Sequence, residues 1–150
     1  MHVESAMTRE VIVVPPELPL HAAWRIMQRR RIRHLPVVSA GVLLGILSDR
    51  DVLIRSTLAD DGAVTAPDVP LGSAMTLSPV TCSIDSTVSS IAQMMIERRL
   101  DAVPVVSDTD RILGLVTSTD LLSLLIEREG ARPLPLHFEI RDGSDASTSS

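Results

Sequence analysis

The sequence predicts an α+β protein made of two β-α-β-β-α repeats, related by a pseudo-twofold axis and packed through their sheets. Three observations predict it. The tetrapeptide Ser5-Ala6-Met7-Thr8 recurs as Ser73-Ala74-Met75-Thr76, a displacement of 68 positions that also carries Met27 onto Met95 and Leu35-Pro36-Val37-Val38-Ser39 onto Val103-Pro104-Val105-Val106-Ser107. Self-similarity at a fixed period is the mark of a repeat architecture. Within each copy the apolar residues switch between helical spacing and short β-rich runs. A unit of about 55 residues is also too small to bury a comfortable core by itself, so each copy needs the other.

Val11 to Val14, matched by Val80 to Ser83, reads as a short extended segment that opens each unit. A helix follows. Leu20, Ala23, Trp24 and Met27 form one buried helical face, as do Val88, Ile91, Ala92 and Met95, with Asp85 expected as N-cap of the second helix. Two β-rich runs come next, His34 to Val38 and Val42 to Ser48 in the first copy, Ala102 to Val106 and Arg111 to Thr117 in the second. The connections between them are short enough to make hairpins. A second helix closes each unit, over about Asp49 to Leu58 and Thr119 to Glu129. The chain thus divides into repeat 1 at 1–58, a linker at 59–70 with no structure of its own, repeat 2 at 71–130, and a largely flexible tail at 131–150 in which Leu134 to Ile140 could add a strand.

Composition narrows the function classes. With 45% hydrophobic and 22% charged residues the chain suits an ordered globular protein. Trp24 and Phe138 are its only aromatic residues, so the core is aliphatic and no stacking platform for single-stranded nucleic acid exists. A net charge of -5 repels a phosphate backbone, which disfavours nucleic acid as a partner while leaving room for a local basic patch around one small anion. The single cysteine, Cys82, forms no intramolecular disulfide, and no Cys/His cluster has metal-ligand spacing. A cytoplasmic protein with neither a metal nor a required cofactor is expected. The N-terminus lacks a basic start followed by an apolar stretch, and no apolar run approaches the roughly 20 residues that span a bilayer, so no membrane partner is expected. Leu121-Leu122-Ser123-Leu124-Leu125-Ile126 is apolar on more than one stripe, which predicts a homodimer formed through helices.

The run Ile32-Arg33-His34-Leu35-Pro36-Val37-Val38, followed after a turn by Leu44-Gly45-Ile46-Leu47-Ser48-Asp49-Arg50-Asp51-Val52, resembles the signature of the CBS-domain family. That family is named after cystathionine β-synthase, and its members occur as tandem pairs called Bateman modules. The resemblance covers about Val3 to Glu129; the second copy departs at Asp101-Ala102 and Ser118-Thr119 but keeps Gly114, Thr117 and Asp120. It implies a stand-alone regulatory protein, not an enzyme. An adenosine-containing ligand such as AMP, ADP, ATP or S-adenosylmethionine would bind between the repeats and modulate a partner protein. The alternative is a dimerising interaction module whose clefts stay empty.

The resemblance also implies which residues meet the ligand. Asp51 and Asp120 could each accept from the two vicinal hydroxyls of a ribose. Ser48 and Thr117, three residues earlier, place a hydroxyl beside a helix N-terminus that favours phosphate. Arg50 and Arg33 could give a charge-assisted fork to that phosphate, with His34 as a further donor. Leu35, Pro36, Val103, Pro104, Val14 and Cys82 would wall the adenine. Simpler roles compete with these. Asp51 and Asp120 also suit N-capping, the run Arg29-Arg30-Arg31 suits a solvated helix C-terminus, and Cys82 and Trp24 suit the core. Gly45 and Gly114 lie inside strand patterns, where glycine suggests close approach of backbone or ligand.

Overall fold

The computed structural model describes residues 1–130. In the first copy a 3-10 turn at Val3–Ser5 leads to helix α1 (Leu20–Arg30), strands β1 (His34–Ser39) and β2 (Val42–Ser48), and helix α2 (Asp49–Arg55). A small hairpin, β3 (Thr57–Leu58) with β4 (Val64–Thr65), connects the copies. The second copy has a 3-10 turn at Leu71–Ser73, strand β5 (Thr76–Leu77), helix α3 (Val88–Arg98), strands β6 (Ala102–Val106) and β7 (Ile112–Thr117), and helix α4 (Ser118–Glu129).

Helix α1 buries Leu20, Ala23 and Met27 and half-buries Trp24, while α3 buries Ile91 and Met95 and half-buries Val88 and Ala92. Both helices end on an arginine in the left-handed region, Arg31 at φ 53° and Arg99 at φ 55°, each donating its N–H to the carbonyl of Met27 or Met95. That cap turns the chain sharply into the following strand.

Three local expectations are corrected. Thr87, not Asp85, caps α3, its hydroxyl accepting from the Ser90 N–H at 3.2 Å. Helix α2 stops at Arg55 instead of running to Leu58, because Thr57 and Leu58 pair with Val64 and Thr65. The stretch between the copies therefore carries structure of its own, and Ala66 within it is buried. Of the segments expected to open each unit, Val14 and Cys82 alone are bridged, each parallel to the next strand, at Val37 and Val105. The expected strand at Leu134 to Ile140 and the rest of 131–150 lie outside the described residues.

The halves are joined through their sheets, and the joint is an exchange that periodicity does not predict. Strand β5, from the start of the second copy, pairs with β2 of the first, Leu77 opposite Gly45 and Thr76 opposite Ile46. Reciprocally, Thr8 from the first copy pairs with Leu115 on β7, through hydrogen bonds of 2.8 and 3.0 Å. The exchange reaches into both cores. Leu71 completes the cluster of Leu20, Met27, Leu35, Val37 and Leu47, whereas Val3 and Met7 complete that of Ile91, Met95, Val103, Val105 and Val116. Each aliphatic core thus borrows side chains from the other copy's first residues, which is how two undersized units bury their apolar faces. Gly45 and Gly114 make room for this: a Cβ on Gly45 would stand 2.6 Å from the Thr76 carbonyl oxygen, and one on Gly114 2.9 Å from that of Thr8. The tips of the two hairpins also touch, Leu43 donating its N–H to the Asp110 carbonyl at 2.9 Å.

Candidate ligand-binding clefts

Two clefts lie between the halves, related by the same pseudo-twofold. The first, about 430 Å³, gathers Ser48 and Asp51 from the start of α2, Thr76 from the exchanged strand, and Arg99, Leu100 and Asp101 from the turn after α3. The second, about 290 Å³, gathers Thr117 and Asp120 from the start of α4, Thr8 from the other exchanged segment, and Arg31, Ile32 and Arg33 from the turn after α1. Each is therefore built from both copies.

The carboxylate in each cleft is held by a capping box. Asp51 Oδ2 accepts from the Ser48 N–H at 2.8 Å while Ser48 Oγ accepts from the Asp51 N–H at 3.1 Å. Thr117 and Asp120 repeat this at 2.8 and 3.2 Å. Capping and ligand contact are not rival roles here. The box occupies one carboxylate oxygen and fixes the side chain, and among the described residues Oδ1 of Asp51 has no hydrogen-bond partner. Oδ1 of Asp120 receives only a 3.5 Å contact from the Thr8 hydroxyl. Each box thus leaves an acceptor preorganised at a cleft.

The remaining groups set the charge and the wall. Arg33, Arg50 and Arg99 stand in the first cleft with Asp49, Asp51 and Asp101; Arg31 and Arg33 stand in the second with Glu10 and Asp120. In each cleft the guanidinium groups are thus matched in number by carboxylates. Ile46, Leu53 and Leu100 give the first cleft an aliphatic side, and Val11, Ile12, Ile32 and Leu115 do so in the second. His34 lines both clefts; burial, followed by the Arg33 charge, pushes its pKa below the usual 6.5, against the opposing pull of Asp49, Asp101 and Asp51.

Seven of the thirteen residues singled out from the sequence line a cleft: Ser48, Arg50 and Asp51 the first, Thr117 and Asp120 the second, Arg33 and His34 both. The expected adenine wall does not. Leu35, Pro36, Val103, Pro104, Val14 and Cys82 are all buried and line neither cleft. Strand β6 is buried along its whole length, so its continuous apolar run packs into the core of this structure. Among the cleft residues that went unread are four polar ones in equivalent pairs: Thr8 and Thr76, inside the repeated tetrapeptide, and Arg31 and Arg99, at equivalent left-handed caps. The signal for all four was the repeat itself. Arg29 and Arg30 are exposed and line neither cleft, whereas Arg31 turns in.

This doubled unit, with its exchanged strands and paired clefts, defines a class of protein built as a tandem repeat around ligand-sized grooves. The CBS-domain family model matches residues 3–56 and 71–127, and the chain belongs to that family. The CBS domain-containing protein YhcV of Bacillus subtilis is 28% identical over 129 residues, covering 86% of this chain and 89% of its own. Inosine-5'-monophosphate dehydrogenase of Korarchaeum cryptofilum is 33% identical over 118 residues, 79% of this chain but 23% of the dehydrogenase, so the chain spans under a quarter of that enzyme. The CBS domain pair of protein MJ0100, solved with 5'-methylthioadenosine and S-adenosyl-L-methionine, superposes with a TM-score of 0.73 at 27% identity over 87% of this chain and 98% of its own. CBSX2 shares the fold, with a TM-score of 0.77 at 21% identity over 86% of this chain and 99% of its own.

Proposed function

We propose that this chain is a regulatory module that binds an adenosine-containing ligand in one or both clefts and thereby alters its association with a partner protein. The observation that carries the reading is the doubled cleft in which a capping box holds one carboxylate oxygen and leaves the other without a partner at Asp51 and with only a 3.5 Å contact from Thr8 at Asp120. A ribose diol suits that oxygen as a pair of donors. The Ser48 or Thr117 hydroxyl and the nearby guanidinium groups suit a phosphate, or the carboxylate of S-adenosylmethionine. The aliphatic side of each cleft suits the adenine ring. The ligands of MJ0100, at 27% identity, support the same ligand class.

No helix among the described residues is long and apolar enough to cross a membrane. A buried free thiol at Cys82 suits a reducing compartment such as the cytoplasm. Helix α4 buries no residue and exposes Leu122, Leu125 and Ile126 at 57–61%, which favours cover by a second copy. That face also supports a second reading, a dimerising module that works with empty clefts.

Thermal unfolding separates the two. AMP, ADP, ATP, S-adenosylmethionine or 5'-methylthioadenosine at 100 times its dissociation constant stabilises the folded chain by about 2.7 kcal/mol if it binds there. Absence of any shift across the five refutes the sensor and leaves the ligand-free module.

A further inference from the structure

The pseudo-twofold is broken at the turn that leads into β1 and β6. Arg33 and His34 line both clefts, whereas the residues that match them in the second copy, Asp101 and Ala102, line only the first. The backbone is equivalent at the two positions: Arg33 accepts from the Asp49 N–H at 2.9 Å, as Asp101 does from the Ser118 N–H at 2.9 Å. The difference is in the side chains. A guanidinium on a long flexible stem reaches both ways from this junction, and a short carboxylate does not. Arg33 is exposed and makes no side-chain hydrogen bond or ion pair among the described residues.

Resting on the reading above, we propose that Arg33 is a single anion-binding group shared by the two clefts, so that phosphorylated ligands bind this chain with negative coupling. Either cleft, filled alone, draws the guanidinium to its own phosphate. With both filled, one phosphate goes without it, and the two converging anions also repel. Arg50, Arg31 and Arg99 each line one cleft and serve it whichever way Arg33 turns. The total binding free energy of two ligands is then less than the sum of the two measured singly, and the deficit is the coupling. One charge-assisted contact in a solvent-accessible cleft corresponds to roughly a tenfold change in affinity.

Calorimetric titration with AMP, and with adenosine as the phosphate-free probe, tests this in six proteins. They are the unmodified chain, Asp51→Asn and Asp120→Asn to silence one cleft each, and Arg33→Gln in the unmodified and both silenced backgrounds; the asparagine amide oxygen retains the capping-box acceptor. Arg33→Gln should weaken AMP about tenfold in each silenced background, yet lower the product of the two AMP association constants of the unmodified chain only tenfold. Adenosine binding should not change. A loss in one background alone assigns Arg33 to one cleft and overturns the proposal, as does a cleft that takes no AMP in either background. A hundredfold fall in the product means that Arg33 serves both phosphates at once, which also overturns it. If neither AMP nor adenosine binds the unmodified chain, the function reading itself fails.

Discussion

Gly45→Ala sets two effects of opposite sign against each other, and the geometry of the exchanged strand decides between them. Gly45 has an ordinary negative φ, so alanine is conformationally allowed there, and by restricting the unfolded chain it would stabilise by about 0.4–1 kcal/mol if space were free. Space is not free. The new Cβ would meet the Thr76 carbonyl oxygen at 2.6 Å and Met75 Sδ at 2.9 Å, well inside the 3.4 Å at which ordinary contact begins. The methionine tip can swing away, but the carbonyl belongs to β5, whose pairing with β2 holds it in place. Overpacking of this kind costs about 1–3 kcal/mol. The net expectation is destabilisation by about 1–2 kcal/mol, with a fall of roughly 2–4 °C in melting temperature per kcal/mol. Equilibrium urea unfolding reads it as a lower midpoint at unchanged slope. A midpoint that stays or rises would refute the claim that the exchanged strand is rigidly held.

Removing residues 1–7 takes Val3 and Met7 out of the second core, where they are 0% and 9% exposed, at about 1.5–3 kcal/mol each, so the truncated chain should melt well below the intact one by circular dichroism. Cys82, its pKa pushed up to about 11 by burial, should react with a thiol reagent at pH 7.5 roughly tenfold or more slowly than an exposed cysteine, and labelling at the ordinary rate contradicts its placement. His34 has a pKa below 6.5 in the folded state, so its neutral form is the stable one: it contributes full stability above about pH 6.5, and that contribution is lost as pH falls through the lower folded value. A His34→Gln variant should therefore show a flatter dependence of unfolding midpoint on pH below 6.5.

The fold was legible because the repeat is written in identical residues. Strands β2 and β6 fall on the residues their β-rich runs predict, and α1 and α3 bury the faces their spacing predicts. Boundaries failed where two residues compete locally. Asp85 and Thr87 are both able to cap, and the first helical turn begins only after Thr87. The candidate site was legible where chemistry and position coincide, at Ser48, Asp51, Thr117 and Asp120. It was not legible at Leu35, Pro36, Val103 and Pro104, because β6 is buried along its whole length and an unbroken apolar run does not say which side, if either, faces a ligand. The exchange lies beyond local reading altogether. Ser-Ala-Met-Thr announces that two copies exist, but periodicity carries no information on which copy each tetrapeptide packs against.

That exchange bears directly on how such a module could sense. Thr8 and Thr76 arrive in the clefts on segments that also anchor the opposite core through Val3, Met7 and Leu71. A ligand held between Asp120, Thr8 and Arg31 would therefore contact a helix start from one copy and an exchanged segment and a helix end from the other. Rotation of the halves would pull those groups apart, so the ligand would bind the closed arrangement better than any opened one. A ligand shifts an equilibrium only by its difference in affinity for the two states. Here that difference would come from contacts on both sides of the joint, the same joint that Gly45 and Gly114 leave room to form.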